Sequence, residues 1–178
     1  MRQNSTVWNL FKRAISALGI LVFLGFLPLT LSAERSISQI FANERTKQGD
    51  LLYQKAKEFL EDRNHYQSVE SCKSFLLLYP GHPKTRDIRK ILSSNYRMTG
   101  DILALAENEL KTYKEFPNTE EGLESYLISG KAFVRMGRED KAYQIFQDII
   151  KNTYSSKIAQ EAELELTQME ILGESKNK

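Results

Sequence analysis

Residues 129–150 read SGKAFVRMGREDKAYQIFQDII. Apolar residues recur there every three to four positions, the spacing of an amphipathic helix, yet Gly130 and Gly137 both weaken helices. Their places explain them. Gly137 falls where one helix must end and the next begin, and glycine reaches φ > 0 there without steric cost. Gly130 falls inside the first helix, where the lack of a side chain lets a second helix press close; Ala142 is the small residue expected to face it. Propensity worth ~1 kcal/mol is lost at such a glycine and regained as buried contact area. The stretch predicts two helices packed as a hairpin.

Working outward, the same spacing recurs. Pro80, Pro117 and Tyr154 lie 37 residues apart, as do Phe59, Tyr96 and Phe133. So do Ala56, Ser93 and Gly130, and then Gly100 and Gly137. Four registers at one period mark a repeat protein. Periodicity and helix breakers predict antiparallel pairs at 44–62 with 66–78, 85–98 with 101–115, and 119–135 with 138–152. An unpaired helix at 156–172, carrying Ile158, Ala162, Leu166 and Met169, is expected to cap the array. Asn118-Thr119-Glu120-Glu121 supplies a helix N-cap with a capping-box glutamate. In the second repeat Glu109 and Thr112 stand where apolar residues belong, and the apolar set moves to Ala106, Leu110 and Tyr113. That displacement predicts a slightly rotated second helix.

The order of residues within one repeat carries a resemblance. Tyr126-x2-Ser129-Gly130-x2-Phe133 followed by Ala142-x3-Phe146 resembles the tetratricopeptide pattern, and Leu52-x2-Lys55-Ala56-x2-Phe59 with Ser68-x3-Cys72 follows it more loosely. The phrases FLLLYPGHP, TYKEFPNTEEGLESYLISGKAF and FQDIIKNTYSSKIAQEAELEL are similar to those of tetratricopeptide proteins of the bacterial cell envelope. Among these are BamD-type assembly lipoproteins and YbgF-type periplasmic coordinators. The resemblance implies an all-α fold, a TPR-like superhelix of about three helix hairpins plus a C-terminal capping helix. Two departures stand out: no cysteine follows the N-terminal apolar run to take a lipid, and no N-terminal coiled-coil segment is evident.

The expected organisation is a signal peptide or signal anchor at 1–33, a linker or short helix at 34–43, and a repeat domain at 44–172. Its repeats run about 46–82, 83–119 and 120–156, with the cap at 156–172 and a disordered tail at 173–178. The N-terminal reading rests on Lys12 and Arg13, which precede the apolar run Ala14–Leu27, with Pro28 and then Thr30, Ser32 and Ala33 as a cleavage region. That apolar core suits a signal peptide and is short for a membrane span. An uncleaved anchor over 14–33 is the alternative, and it would associate the chain with a membrane. Either way the positive N-terminal flank places residues 34–178 on the outer side of the cytoplasmic membrane. The expected location is therefore exported, periplasmic or membrane-associated facing the periplasm.

Charge narrows the function. The formal net charge is +2, but three of the 25 basic residues (Arg2, Lys12 and Arg13) precede the first acid, leaving 22 basic against 23 acidic residues from position 34 onward. Nucleic acid is therefore not an expected partner. Cys72 is the single cysteine and His65 and His82 the only histidines, so neither a disulfide nor a zinc-type ligand set is available. Cys72 takes the place that repeat three fills with Phe146 and reads as a small buried apolar residue. About 130 residues of repeats leave no room for a separate water-excluding catalytic cleft. No enzyme activity, cofactor or metal is expected.

A binding role remains, with other envelope proteins or peptides as partners. In the fold that the resemblance implies, the first helices of successive hairpins line a groove. Counting from the repeat register, the groove positions are Asp50, Tyr53, Lys57 and Glu61, then Asp87, Lys90, Ser94 and Arg97, then Glu124, Leu127, Lys131 and Arg135. Lys57, Lys90, Arg97, Lys131 and Arg135 would share one concavity, with Tyr53 and Leu127 offering apolar contact. Such a surface suits an extended peptide or a helix with acidic groups. Lys84, Arg86, Arg89 and Lys90 form a denser basic run, read as a solvated face in preference to a contact with an anionic surface.

Overall fold

A computed structural model describes residues 37–176 of the chain. The expected signal segment at 1–33 lies outside the described residues. The chain divides into two compact units, Met1–Lys47 and Gln48–Lys178. Of the first, the described residues 37–47 are helical, with Ile37, Ile40 and Phe41 exposed.

The described residues are all-α. Residues 37–61 form α1, of which those from 48 onward belong to the second unit. There follow α2 (His65–Leu78), α3 (Thr85–Thr99), α4 (Ile102–Glu115), α5 (Glu120–Arg135), α6 (Glu139–Asn152) and α7 (Ser156–Lys176). Each helix packs on its sequence neighbour from α2 to α7, and α7 also touches α5. This is the expected repeat-like array of three hairpins and a capping helix. Two limits move: α1 begins at 37 and not 44, and α7 runs through Lys176, so residues 173–176 of the expected disordered tail are helical.

Backbone hydrogen bonds reproduce the 37-residue period directly. The carbonyls of Phe59, Tyr96 and Phe133 accept from the N–H groups of Asn64, Asp101 and Arg138, at 2.8, 3.0 and 2.9 Å. In each turn the intervening residue is left-handed: Arg63 at φ 58°, Gly100 at 73°, Gly137 at 70°. These are three copies of one helix-ending turn. Between hairpins a second family repeats, with Tyr79, Phe116 and Thr153 donating to Phe75, Thr112 and Ile149 at 2.9 Å each. Asn64, Asp101 and Thr119 cap α2, α4 and α5 by accepting from Gln67, Ala104 and Gly122.

The N-cap falls within the expected Asn118–Glu121 stretch, at Thr119, with the helix beginning one residue later than expected, and the capping-box glutamate is lost. The third helical residue is Gly122, and a Cβ there would lie 2.0 Å from the Phe116 carbonyl oxygen. Only glycine admits that approach. Gly130 is also a contact glycine, with a different partner from the one expected: its Cβ would meet the Phe146 ring at 2.5 Å and Ile145 at 3.1 Å, whereas Ala142 is not among the nearest groups.

Two apolar clusters result. One joins Ala56, Cys72, Phe75, Ile88, Ile91 and Leu92 from α1, α2 and α3. The other runs from Ala106 on α4 through Leu123, Leu127, Phe133, Phe146 and Ile149 to Ile158 and Ala162 on α7. Extending the register to α7 places Glu163, Thr167 and Glu170 where Tyr126, Gly130 and Phe133 face a following helix. All three are exposed. Polar residues on that side let α7 end the array in water.

Candidate binding cleft and the polar seam beneath it

The facing sides of α3 and α4 carry a run of buried polar groups. Arg89, Ser93, Asn108, Glu109 and Thr112 are each less than one-tenth exposed. Asn108 accepts from Arg89 Nη1 at 3.0 Å, and its amide donates to the Arg89 carbonyl at 3.0 Å and to Ser93 Oγ at 2.8 Å. Arg89 also donates through Nε to Glu115 at 3.0 Å and through Nη2 to the other Glu115 oxygen. Arg97 reaches Glu109 at 3.4 Å. Buried polar groups paired in this way avoid the 1–3 kcal/mol that an unpaired one costs, roughly.

A smaller network ties α1, α2 and α3. Ser68 donates to the Ala56 carbonyl at 2.7 Å and accepts from Asn95 Nδ2 at 2.8 Å, and that amide also donates to Ile91 O. Asn95 Oδ1 therefore faces His65 Nδ1, 2.9 Å away, which makes His65 Nδ1 the donor. The His82 ring sits edge-on to Phe75 at 5.0 Å between centroids and fills the space opposite Gly49, where a Cβ would come within 2.6 Å. Among the described residues, no three His, Cys, Asp or Glu side chains gather as a metal site. Cys72 is buried as expected, and burial pushes its thiol up to about 12. Burial thus disfavours the thiolate, the nucleophilic form of the side chain.

The expected rotation of α4 does not occur. Asn108, Glu109 and Thr112 are buried toward α3, while Ala106, Leu110 and Tyr113 pack into the cluster shared with α5. The helix lies between two neighbours and buries two faces, one polar and one apolar.

Above the seam, α3, α4 and α5 enclose a cleft of about 280 Å³. Of the expected groove residues, Lys90, Arg97 and Glu124 line it. Leu127 does not. It is 3 % exposed, in one cluster with Ile158 and Ala162 of α7, and Ile128 lines the cleft in its stead. Ser93 likewise takes the place expected of Ser94, which is half-buried.

The remaining groove residues do not share this concavity. Tyr53 packs against the first cluster under Lys84 Nζ, 5.3 Å from its ring centre. Lys57 is exposed beside Glu61 at 3.6 Å. Lys131 is held by Glu161 and Glu165 of α7 at 3.7 and 3.1 Å. Arg135 is exposed in the last turn of α5.

The basic run of α3 is matched by carboxylates. Arg86 and Lys90 converge on Glu121 at 2.9 and 2.7 Å, Lys84 lies 3.6 Å from Asp87, and Arg89 is taken by Glu115. The Lys90 hydrogen bond, aided by the charges of Lys90 and Arg86, holds the Glu121 carboxyl below its usual range against partial desolvation. Two cations therefore share the Glu121 carboxylate, and Glu124 adds a further negative charge to the same wall. Hydrophobic periodicity cannot reveal this arrangement, but Arg89, Ser93, Asn108 and Thr112 standing at facing register positions are its signature. Among the described residues no helix is long and apolar enough to cross a membrane. Neither a protein-family model nor a curated protein matches the sequence.

Proposed function

We propose that this chain is a non-catalytic, tetratricopeptide-like scaffold of the bacterial cell envelope that holds an extended segment of a partner protein in the α3–α5 cleft. The observation that carries the reading is the cleft's wall. Ile128 supplies apolar contact, while Arg86, Lys90 and Arg97, each about half-exposed, offer charges around it. The Arg86 and Lys90 pairs with Glu121 are open on both sides and contribute roughly 0–1 kcal/mol, so a ligand carboxylate can exchange into them at little cost. An acidic side chain on the bound segment can pair with Arg86 and Lys90 in place of Glu121. Envelope assembly is the process that the resemblance suggests, and the N-terminal apolar run supports export.

A photo-crosslinking residue placed at Ile128 tests this in cells, with Leu77, 79 % exposed on α2, as the control site. Adducts with a defined protein at position 128 and none at 77 are expected. Adducts at 77 alone, with helicity intact, would sink the reading. A second reading, a membrane-anchored structural or oligomerising protein, is favoured by the exposure of Ile37, Ile40 and Phe41 just beyond the apolar run. An intact mass beginning at residue 34 excludes it, and retention of Met1 in membranes supports it.

A further inference from the structure

The two ends of the array are finished differently. At the far end a following helix would meet Glu163, Thr167 and Glu170 of α7, all polar and exposed. At the near end the 37-residue register aligns Leu51, Lys55 and Glu58 of α1 with Ile88, Leu92 and Asn95 of α3, and with Ser125, Ser129 and Ala132 of α5. Those six counterparts are all buried. On α3 the preceding helix covers them: Ile88 and Leu92 pack with Cys72 and Phe75 of α2, and Asn95 bonds Ser68 there. On α1 the three positions are exposed, Leu51 at 62 %. Leu78 departs from its register in kind. Its counterparts Glu115 and Asn152 are exposed polar residues, whereas Leu78 is apolar and 55 % exposed. With Leu52 and Tyr79 these residues line a cleft of about 450 Å³.

Lys55 and Glu58 decide what can lie on this face. They stand three residues apart, one above the other on the helix. Among the described residues neither has an ion-pair partner, whereas Lys57 and Glu61 of the same helix pair at 3.6 Å. A face with one cation and one anion a turn apart is complementary to itself when turned through 180°. Each Lys55 then meets the Glu58 of the other copy, and Leu51 and Leu78 are covered beside the paired charges. The direction also fits. Helices that follow one another in this array run antiparallel, so α2 covers the matching face of α3 in the sense that a twofold axis would impose on two copies of α1.

We propose that this face binds a second copy of the chain, α1 against α1 about a twofold axis, with reciprocal Lys55–Glu58 pairs. No residue of this cleft lines the α3–α5 cleft, so the interface holds whether or not that cleft binds a peptide. Sedimentation equilibrium of the full chain in mild detergent provides the test, with helicity checked for every variant. The unaltered chain is expected to rise with concentration from the mass of one chain to that of two. Lys55→Glu and Glu58→Lys each set like charges together at both pairs and should weaken dimerisation about tenfold or more. Mixed in equal amounts, the two variants present opposite charges at both pairs and should recover it. That recovery separates this face from the apolar run at 14–27, whose association would not distinguish the mixture from its components. Leu78→Glu, the residue type found one repeat on, should also weaken dimerisation. A chain monomeric at every concentration, single reversals without effect, a mixture no better than its components, or undiminished dimerisation of a folded Leu78→Glu protein overturns the proposal. If Leu78→Glu fails to fold, the charge variants, both at exposed positions, decide alone.

Discussion

Between α3 and α4 the interior is filled by Arg89, Ser93, Asn108, Glu109 and Thr112. Thirty-seven residues on, between α5 and α6, the same positions hold Tyr126, Gly130, Ile145, Phe146 and Ile149. The first hairpin, with Leu52, Ala56, Ser71, Cys72 and Phe75, resembles the third more than the second. All three hairpins nonetheless share one turn, with the same carbonyl accepting the same bond. The chemistry between the helices is thus exchangeable while the turn geometry is not. What differs is the kind of support. The third hairpin is held by close packing of rings and branched chains against a glycine. The second is held by directional bonds that must all be satisfied together. The polar fill also leaves the apolar core in two clusters, parted within the second hairpin and not between repeats.

The largest expected effect tests the packed side. Phe146 is 0 % exposed and its ring lies against Gly130, so Phe146→Ala should cost about 3–5 kcal/mol in urea unfolding. Glu109→Ala, the equivalent change in the second hairpin, removes a carboxylate whose partner Arg97 is half-exposed and should cost nearer ~1 kcal/mol. Equal losses would mean that the two fills do not differ in kind.

The polar side should behave in the opposite sense when taken whole. Asn108→Leu strips a partner from Arg89 Nη1, the Arg89 carbonyl and Ser93 at once, and should cost about 2–3 kcal/mol. Moving the complete third-hairpin set into the second (Arg89→Tyr, Ser93→Gly, Asn108→Ile, Glu109→Phe and Thr112→Ile) removes every one of those groups together. Glu115, left without Arg89, is 39 % exposed and can be solvated. The fivefold variant should then match or exceed the parent by up to ~1–4 kcal/mol, as for other buried ionic networks replaced by apolar residues. A single change more damaging than the set of five sharpens the contrast. A fivefold variant that melts below Asn108→Leu breaks it.

Most of the helix limits were legible from apolar period and breakers, because both act locally. The groove register was less so. Lys90 and Arg97 are where the count puts them, but Leu127 is covered by α7, and a helix arriving from thirty residues away leaves no mark on local periodicity. Glu109 and Thr112 were misread for another reason. A pattern scored on apolarity treats a polar residue as an exposed one, so a hydrogen-bonded interior looks like a rotated helix. The signal lay in the facing helix, where Arg89 and Ser93 break the apolar pattern at matching positions.

The smallest effect concerns the turns that the hairpins share. Gly100 and Gly137 announce their left-handed turns, whereas the first copy holds Arg63 at φ 58° with nothing in its residue type to show it; only the period points there. A residue with a Cβ loses roughly 1–2 kcal/mol in that conformation, and glycine gives part of this back through its freer unfolded chain, about 0.5–1 kcal/mol. The Arg63 side chain is exposed, so its removal loses little contact. Arg63→Gly should therefore stabilise by up to ~1 kcal/mol, a rise of about 2–4 °C in melting temperature for a chain of this size. Gly100→Ala and Gly137→Ala should lower it by a similar amount. If Arg63→Gly lowers the melting temperature, the arginine has a stabilising role in the turn that its two glycine counterparts lack, and the three turns are equivalent in shape but not in energy.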